Sequence, residues 1–363
     1  MAGVSKFPQA QGSNEVKVLR RNNTEDIIDR LGVISPDRVI LHNYPISHPI
    51  SIFNASCLLE EGDGELRIFA RIILGYYMYV SSIVELRIPI EDIETRSVNL
   101  NRYPGDIILY PTTKYDVWGT EDPRSYEIDG DVFITYTGRS INYFNPLVRV
   151  NRTLPVTAYF DEKARVWRKI YAFATSTELF GEVVSNKDAF LYKTSDGRLY
   201  LFHRPHLIDD TFHLMISVID PKILESKEEI REVIIDNGVE VLTPSAFESK
   251  LGWAAPPIPV GPNRVVTLVH AVDKDALVYR VFALQLYLFP EEIIVEAVTP
   301  NYIMEPATSY EVIGDRPLTV FPCGNVVYKD KLVITYGAGD FMIGIGSIDM
   351  DTLMGELDKG RIY

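Results

Sequence analysis

Gly119-Thr120-Glu121-Asp122-Pro123-Arg124-Ser125-Tyr126-Glu127-Ile128-Asp129-Gly130-Asp131-Val132-Phe133-Ile134-Thr135-Tyr136-Thr137 decides how the rest of this chain reads. Its second half is a β-branched and aromatic run behind an Asp-Gly turn signal, the texture of a hairpin. Its first half sets two carboxylates and a guanidinium within four residues. Such a pair can keep one carboxyl group protonated while the arginine fixes a polar ligand, which is general-acid chemistry on a sugar. Alone, Asp122-Pro123 also serves as an ordinary strand-entry turn.

Outward from this hairpin the same texture recurs. Strands are predicted at residues 65–71, 77–88, 132–137, 156–160, 199–203, 265–272, 277–288 and 332–336. Turn signals punctuate them at Asp63-Gly64, Ser195-Asp196-Gly197 and Lys329-Asp330-Lys331. Many short strands without a βαβ rhythm imply an all-β sandwich or propeller. No strict sequence repeat chooses between the two. Two short helices are expected, one over residues 23–32, capped by Asn23 or Thr24 and stopped by Gly32, and one over 221–230. Residues 1–22 read as a polar extension. No linker-like stretch splits the remainder, which implies one catalytic domain.

The totals bound the function. A chain of 363 residues, 46% hydrophobic, can build a sizeable soluble core. A net charge of −14 argues against nucleic acid or an anionic membrane as partner, while leaving room for a local basic pocket for one phosphate. Cys57 and Cys323 make no disulfide framework, so a reducing compartment is expected. With no apolar signal core or membrane-length run, the expected location is cytoplasmic. His42, His48, His206 and His213 lack metal-ligand spacing, so no metal is expected. No glycine-rich loop opens a helix, and no nucleophile elbow occurs.

Three further segments join Glu121-Asp122-Pro123-Arg124. They are Phe53-Asn54-Ala55-Ser56; Asn186-Lys187-Asp188-Ala189-Phe190-Leu191 with Phe202-His203-Arg204-Pro205; and Val320-Phe321-Pro322-Cys323-Gly324 with Tyr336-Gly337-Ala338-Gly339-Asp340. In this order they resemble glycoside hydrolase family 130, the inverting β-mannoside phosphorylases and β-mannosidases. The resemblance implies a five-bladed β-propeller over residues 46–350 with its site at the axial end. It leaves 1–45 as an N-terminal extension with a short helix and 351–363 as a tail. Because such extensions often mediate assembly, it also suggests a homo-oligomer.

The resemblance also implies roles. Asp122 matches the family's proton donor, which works through a hydroxyl of the bound mannosyl unit. Asn54 and Arg71 match its sugar-contacting Asn and Arg, and Asp340 a sugar-binding Asp. Arg124 would anchor a hydroxyl or the Asp122 carboxylate through its fork of donors. Glu121 would orient Arg124 or bond to sugar. His270 lies in a segment similar to the family's Tyr-His on the substrate side, with Val269 in place of Tyr. Lys187, His203 and Arg204 supply a point charge, a switchable donor and a planar fork, as a phosphate dianion requires, and Arg139 adds a fourth cation. Read separately, Lys187 is a solvated loop lysine and His203 a core-edge histidine. Ala55 stands where the family has Pro, and Gly252-Trp253-Ala254-Ala255 replaces its small-residue turn.

The function these residues imply is phosphorolysis of a terminal β-mannosyl unit by inorganic phosphate, giving α-mannose 1-phosphate. Phosphate is then a co-substrate and no cofactor is required; the partners are a β-mannoside oligosaccharide and phosphate. An inverting β-mannosidase on the same scaffold is the alternative within the enzyme class. A catalytically silent glycan-binding propeller is the alternative outside it, but a mere binding module has no use for both an acid and a phosphate set.

Overall fold

The computed structural model describes residues 6–60, 62–75, 79–289 and 292–363. The chain enters through α1 (Ser13–Leu19), β1 (Asp29–Ile34) and β2 (Val39–Leu41), and then lays down antiparallel units in sequence order. Unit 1 comprises β3 (Ser51–Glu60), β4 (Glu65–Ile73), β5 (Ser81–Pro89) and β6 (Tyr103–Leu109), with α2 (Ile90–Glu94) before β6. Unit 2 comprises β7 (Thr120–Ile128), β8 (Asp131–Arg139), β9 (Thr153–Asp161) and β10 (Val166–Thr175).

After α3 (Thr177–Phe180), unit 3 uses β11 (Val183–Lys193), β12 (Leu199–Leu207) and β13 (Leu214–Ile219). Strand β14 (Arg231–Ile235) returns to run parallel to β10, and β15 (Val239–Leu242) completes unit 3. Unit 4 comprises β16 (Glu248–Trp253), β18 (Arg264–Asp273), β19 (Tyr279–Leu288) and β20 (Ile293–Val298), with β17 (Ile258–Gly261) on β18. After α4 (Ser309–Val312), unit 5 comprises β21 (Val320–Tyr328), β22 (Lys331–Ala338) and β23 (Met342–Asp349), and α5 (Met350–Asp358) follows. Its fourth strand is β1, so the start of the chain closes the last unit.

First strands are neighbours from unit 5 through units 1, 2 and 3 to unit 4. Strand β3 touches β7 and β21, β7 touches β11, β11 touches β16, and β21 meets β18 and β19. Three of these first strands carry the same irregularity. In β3, Asn54 and Ala55 oppose only Ala70; in β7, Asp122 and Pro123 oppose Tyr136; in β11, Asp188 and Ala189 oppose His203. The leading residue of each bulge is left-handed, at φ of 48°, 51° and 53°. Asn and Asp tolerate that region far better than β-branched residues, and a bulge re-aims the side chain it carries. Pro123 is accommodated because a bulged residue owes no ladder hydrogen bond. The three bulges recur 68 and then 66 residues apart, at positions 54, 122 and 188.

The expected strands are present, although Tyr77 and the residues flanking it at 76 and 78 lie outside the described residues. The helix expected over 23–32 does not form; the N-terminal helix is α1. Asp26 Oδ1 accepts the Ile28 N–H at 3.0 Å, a local turn that competes with helix, and residues from Asp29 are drawn into β1 by pairing with β23. Residues 221–230 give only a 3₁₀ turn at Pro221–Glu225, because Tyr171 Oη and Arg231 take the Ile223 carbonyl. Residues 6–22 are not a loose arm, and residues 1–5 lie outside the described residues. Phe7, Ala10 and Val16 are buried, and Ala10 and Gln11 donate to the Glu240 and Ile293 carbonyls of units 3 and 4. The C-terminal tail holds α5, capped by Asp349 on the Thr352 N–H and buried through Leu353 and Leu357.

Candidate active site

The bulges of units 1 and 2 meet directly. Asn54 Nδ2 donates to Asp122 Oδ1 at 2.7 Å, and Arg71 Nη1 donates to the same oxygen at 3.0 Å. Arg71 sits opposite Phe53 in the ladder, with its guanidinium 4.9 Å from the Phe53 ring centre. Its second nitrogen, Nη2, reaches Glu121 Oε1 at 2.7 Å. Lys187 Nζ holds Glu121 Oε2 at 3.1 Å, and Arg139 Nε approaches Glu121 at 3.5 Å. Burial opposes ionisation of Glu121, but the charges of Arg71, Lys187 and Arg139 outweigh it and hold the carboxyl below its usual range. Among the described residues Asp122 Oδ2 has no protein partner.

A second network lies behind the first. Arg124 is fully buried and donates to the Asp122 carbonyl at 2.7 Å, to the Ala254 and Trp253 carbonyls, and to Asp188 Oδ1 at 3.2 Å. Its Nε and both Nη nitrogens are engaged within the protein, so it braces the backbone that shapes the Asp122 bulge. Asp188 Oδ2 accepts from Arg204 Nε at 2.6 Å and lies 3.4 Å from His270 Nε2. Burial disfavours the Asp188 charge, yet Arg204 and Arg124 outweigh it and hold the carboxyl well below the usual range. Burial pushes His270 down to about 4, so it is a neutral donor beneath Asp188, with its ring 4.4 Å from that of Phe321.

Asp340, also left-handed at φ 51°, follows β22 and interacts electrostatically with Arg71, Asp122 and Glu121. Residues from the first and last units therefore share one site. Burial, reinforced by the charges of Asp122 and Glu121, pushes the Asp340 carboxyl up to about 6 against the opposing pull of Arg71 and Arg316.

His203 does not join the other cations. Adjacent residues on a strand face opposite ways, so with Arg204 turned to Asp188, His203 turns into the core. It is 0% exposed, with Nδ1 on Asn186 and Nε2 on Ser217 Oγ at 2.9 Å. Burial drives it down to about 3, which leaves a neutral ring with no charge to offer phosphate. Two cations beyond the expected set border the site: Lys250 on β16 and Arg316 in the loop after α4. Lys250 stands just before Gly252-Trp253-Ala254-Ala255, the segment that departs from the family's small-residue turn; Arg316 carries no local signal. Among the described residues no group of three His, Cys, Asp or Glu side chains is arranged to hold a metal, and no helix is long and apolar enough to cross a membrane.

Known proteins share this sequence pattern and chain path. Residues 18–359 match the profile of glycoside hydrolase family 130, described as beta-1,4-mannooligosaccharide phosphorylase. A 1,2-β-oligomannan phosphorylase of Thermoanaerobacter sp. (strain X514) is 27% identical over 67% of this chain and 72% of its own length. A β-1,2-mannobiose phosphorylase of the same organism is 26% identical over 86% of this chain and 97% of its own. The structure of the β-1,2-mannobiose phosphorylase from Listeria innocua, in complex with β-1,2-mannobiose, superposes with a TM-score of 0.66 at 17% identity. That match covers 92% of this chain and 97% of the other.

Proposed function

Because this chain belongs to glycoside hydrolase family 130, we propose that it is an inverting mannoside phosphorylase transferring a terminal β-mannosyl unit to inorganic phosphate. The observation that carries the reading is the clamp on Glu121. An inverting hydrolase needs a second carboxylate as base for water. Glu121, the carboxylate next to the acid, is neutralised by Arg71, Lys187 and Arg139 and is a poor base. Arg71, Lys187 and Arg139, with Arg204, Lys250 and Arg316 beside them, outnumber the carboxylates of Glu121, Asp122, Asp188 and Asp340 and leave positive charge to seat a phosphate dianion, which is itself the nucleophile.

In this mechanism phosphate, held by Lys187, Arg139 and the free end of Arg204, attacks the anomeric carbon. The bond to the leaving oxygen breaks as that oxygen receives the Asp122 proton through a mannosyl hydroxyl, and the β-linkage becomes α-mannose 1-phosphate. Asn54, Arg71 and Asp340 hold the sugar. Glu121, Asp122 and Asp340 share one guanidinium, that of Arg71, and crowded carboxylates resist a full complement of negative charge. Burial first, and then the charges of Asp122 and Glu121, raise the Asp340 carboxyl to about 6.

The fold reading that accompanies this proposal is a five-bladed β-propeller in one domain. The order of neighbouring first strands, the closure of unit 5 by β1 and the recurring bulges support it. Relatives acting on β-1,2-linked mannosides favour that linkage over the β-1,4 linkage of the family description. One observation favours hydrolysis: Asp340 is a carboxyl group poised near 6 that could activate water. Incubation with β-1,2- and β-1,4-mannobiose, with and without phosphate, separates the two. Mannose 1-phosphate formed only with phosphate is expected; free mannose released at full rate without it overturns the assignment.

A further inference from the structure

Three groups fix the direction of the Arg139 side chain at the end of β8. Its Nε lies 3.5 Å from Glu121, and its guanidinium stands 3.9 Å from the centre of the Tyr143 ring. The third group is a backbone carbonyl, because Arg139 Nη1 donates to the oxygen of Tyr79 at 2.8 Å. Glu121 is shared with Arg71 and Lys187, and a ring face attracts a cation without fixing its rotation. The bond to the Tyr79 carbonyl is short and directional, so it sets the aim of the fork.

Tyr79 offers that carbonyl from a strained position. Its φ is 52°, in the left-handed region that a bulky aromatic residue rarely enters. The left-handed residues already met at the site, Asn54, Asp122, Asp188 and Asp340, are all Asn or Asp, which tolerate it. A strained backbone persists only where its surroundings over-determine it. Two contacts of the Tyr79 side chain do so. Its Oη donates to Asp315 Oδ2 at 2.8 Å, and its ring lies 5.8 Å from the Arg71 guanidinium. Asp315 is anchored in turn: it lies in the loop after α4, and the N–H of the next residue, Arg316, donates to the Gly339 carbonyl at 3.0 Å.

We propose that Tyr79 is a positioning residue for phosphate: its bond to Asp315 keeps its backbone left-handed, and the carbonyl so placed aims Arg139 at the nucleophile. Three units meet in this link. Tyr79 precedes β5 of unit 1, Arg139 ends β8 of unit 2, and Asp315 leads into unit 5. The role of Arg139 toward phosphate rests on the phosphorylase reading.

Steady-state kinetics with a mannobiose and phosphate, each varied while the other is saturating, test the link. Tyr79→Phe keeps the ring and loses only the Oη bond. It raises the phosphate KM about three- to tenfold, while kcat and the mannoside KM change less than about twofold. Asp315→Ala reproduces that rise, and the double variant is no worse than either single one, because all three break the same bond. Asp315→Asn still accepts from the phenol and restores most of the wild-type value. Asp315 is exposed, so its variants keep the fold.

An unmoved phosphate KM in Tyr79→Phe overturns the proposal. Additive effects in the double variant do the same, as does an equal rise in both KM values, which makes Tyr79 part of the general shape of the site. Wild-type cleavage that ignores phosphate is a different result: the phosphorylase reading fails and this proposal falls with it. A phosphate-dependent wild type with an unmoved Tyr79→Phe removes the Tyr79 link alone.

Discussion

Asn54 Nδ2 donates to Asp122 Oδ1 at 2.7 Å, linking two bulged residues 68 positions apart that share a left-handed backbone. The bond fixes one carboxylate oxygen of Asp122, and the other has no hydrogen-bond partner among the described residues. It also explains why the bulges carry Asn and Asp: a side chain re-aimed inward from a left-handed position must be short and polar to meet its counterpart.

Asp122→Asn keeps the size and the left-handed tolerance of the residue but removes its transferable proton. Turnover falls by about 10²-fold or more, with unfolding behaviour nearly unchanged. Steady-state rates with a mannobiose and phosphate check this, and near-normal turnover in the folded variant rejects Asp122 as the donor.

Gly337→Ala tests the support of Asn54. A Cβ at Gly337 would lie 1.8 Å from Asn54 Oδ1 and 2.8 Å from its backbone nitrogen, so Asn54 must move. Turnover drops by about tenfold or more through loss of the Asp122 contact, although Gly337 is not itself a catalytic group. Unchanged kinetics would show that Asn54 does not position the acid.

Asp340 gives a pH signature. Its folded carboxyl is raised from 3.8 to about 6, so the folded chain binds a proton that the unfolded chain lacks between those values. Stability from this group is therefore gained as pH falls through 6 and lost as pH rises above it. Asp340→Asn stabilises the fold at neutral pH by at most about 3 kcal/mol, and the gain disappears below the ordinary carboxylate range. Mannoside affinity in the variant is weaker. Denaturation midpoints across pH check the sign; identical pH profiles for variant and wild type exclude it.

Lys187 and His203 separate by phenotype. Lys187→Ala raises the phosphate KM by roughly ten- to a hundredfold, the effect of losing one charge-assisted contact, with a smaller change in mannoside KM. His203→Ala instead lowers thermal stability, because it empties a buried position and strips Asn186 and Ser217 of a partner. A phosphate-specific defect in a stable His203 variant would contradict the buried, neutral ring.

Local order in the sequence determined the strands, their turns and the acid-bearing hairpin, because alternation and Asp-Gly signals act within a few residues. The motif segments also located Asn54, Arg71, Glu121, Asp122, Lys187 and Asp340, which the structure gathers into one site. What failed depended on partners distant in sequence. Residues 23–32 looked helical until β23 supplied a pairing edge, and the polar N-terminus hid its docking on units 3 and 4. His203 and Arg204 are neighbours in sequence yet face opposite sides of β12, one into the core and one toward Asp188. Arg124 is engaged by carbonyls some 130 residues away. Lys250 and Arg316 join the site only because units 4 and 5 close beside it. Composition can supply a charge, but only tertiary packing decides which charges lose their water and which face a ligand.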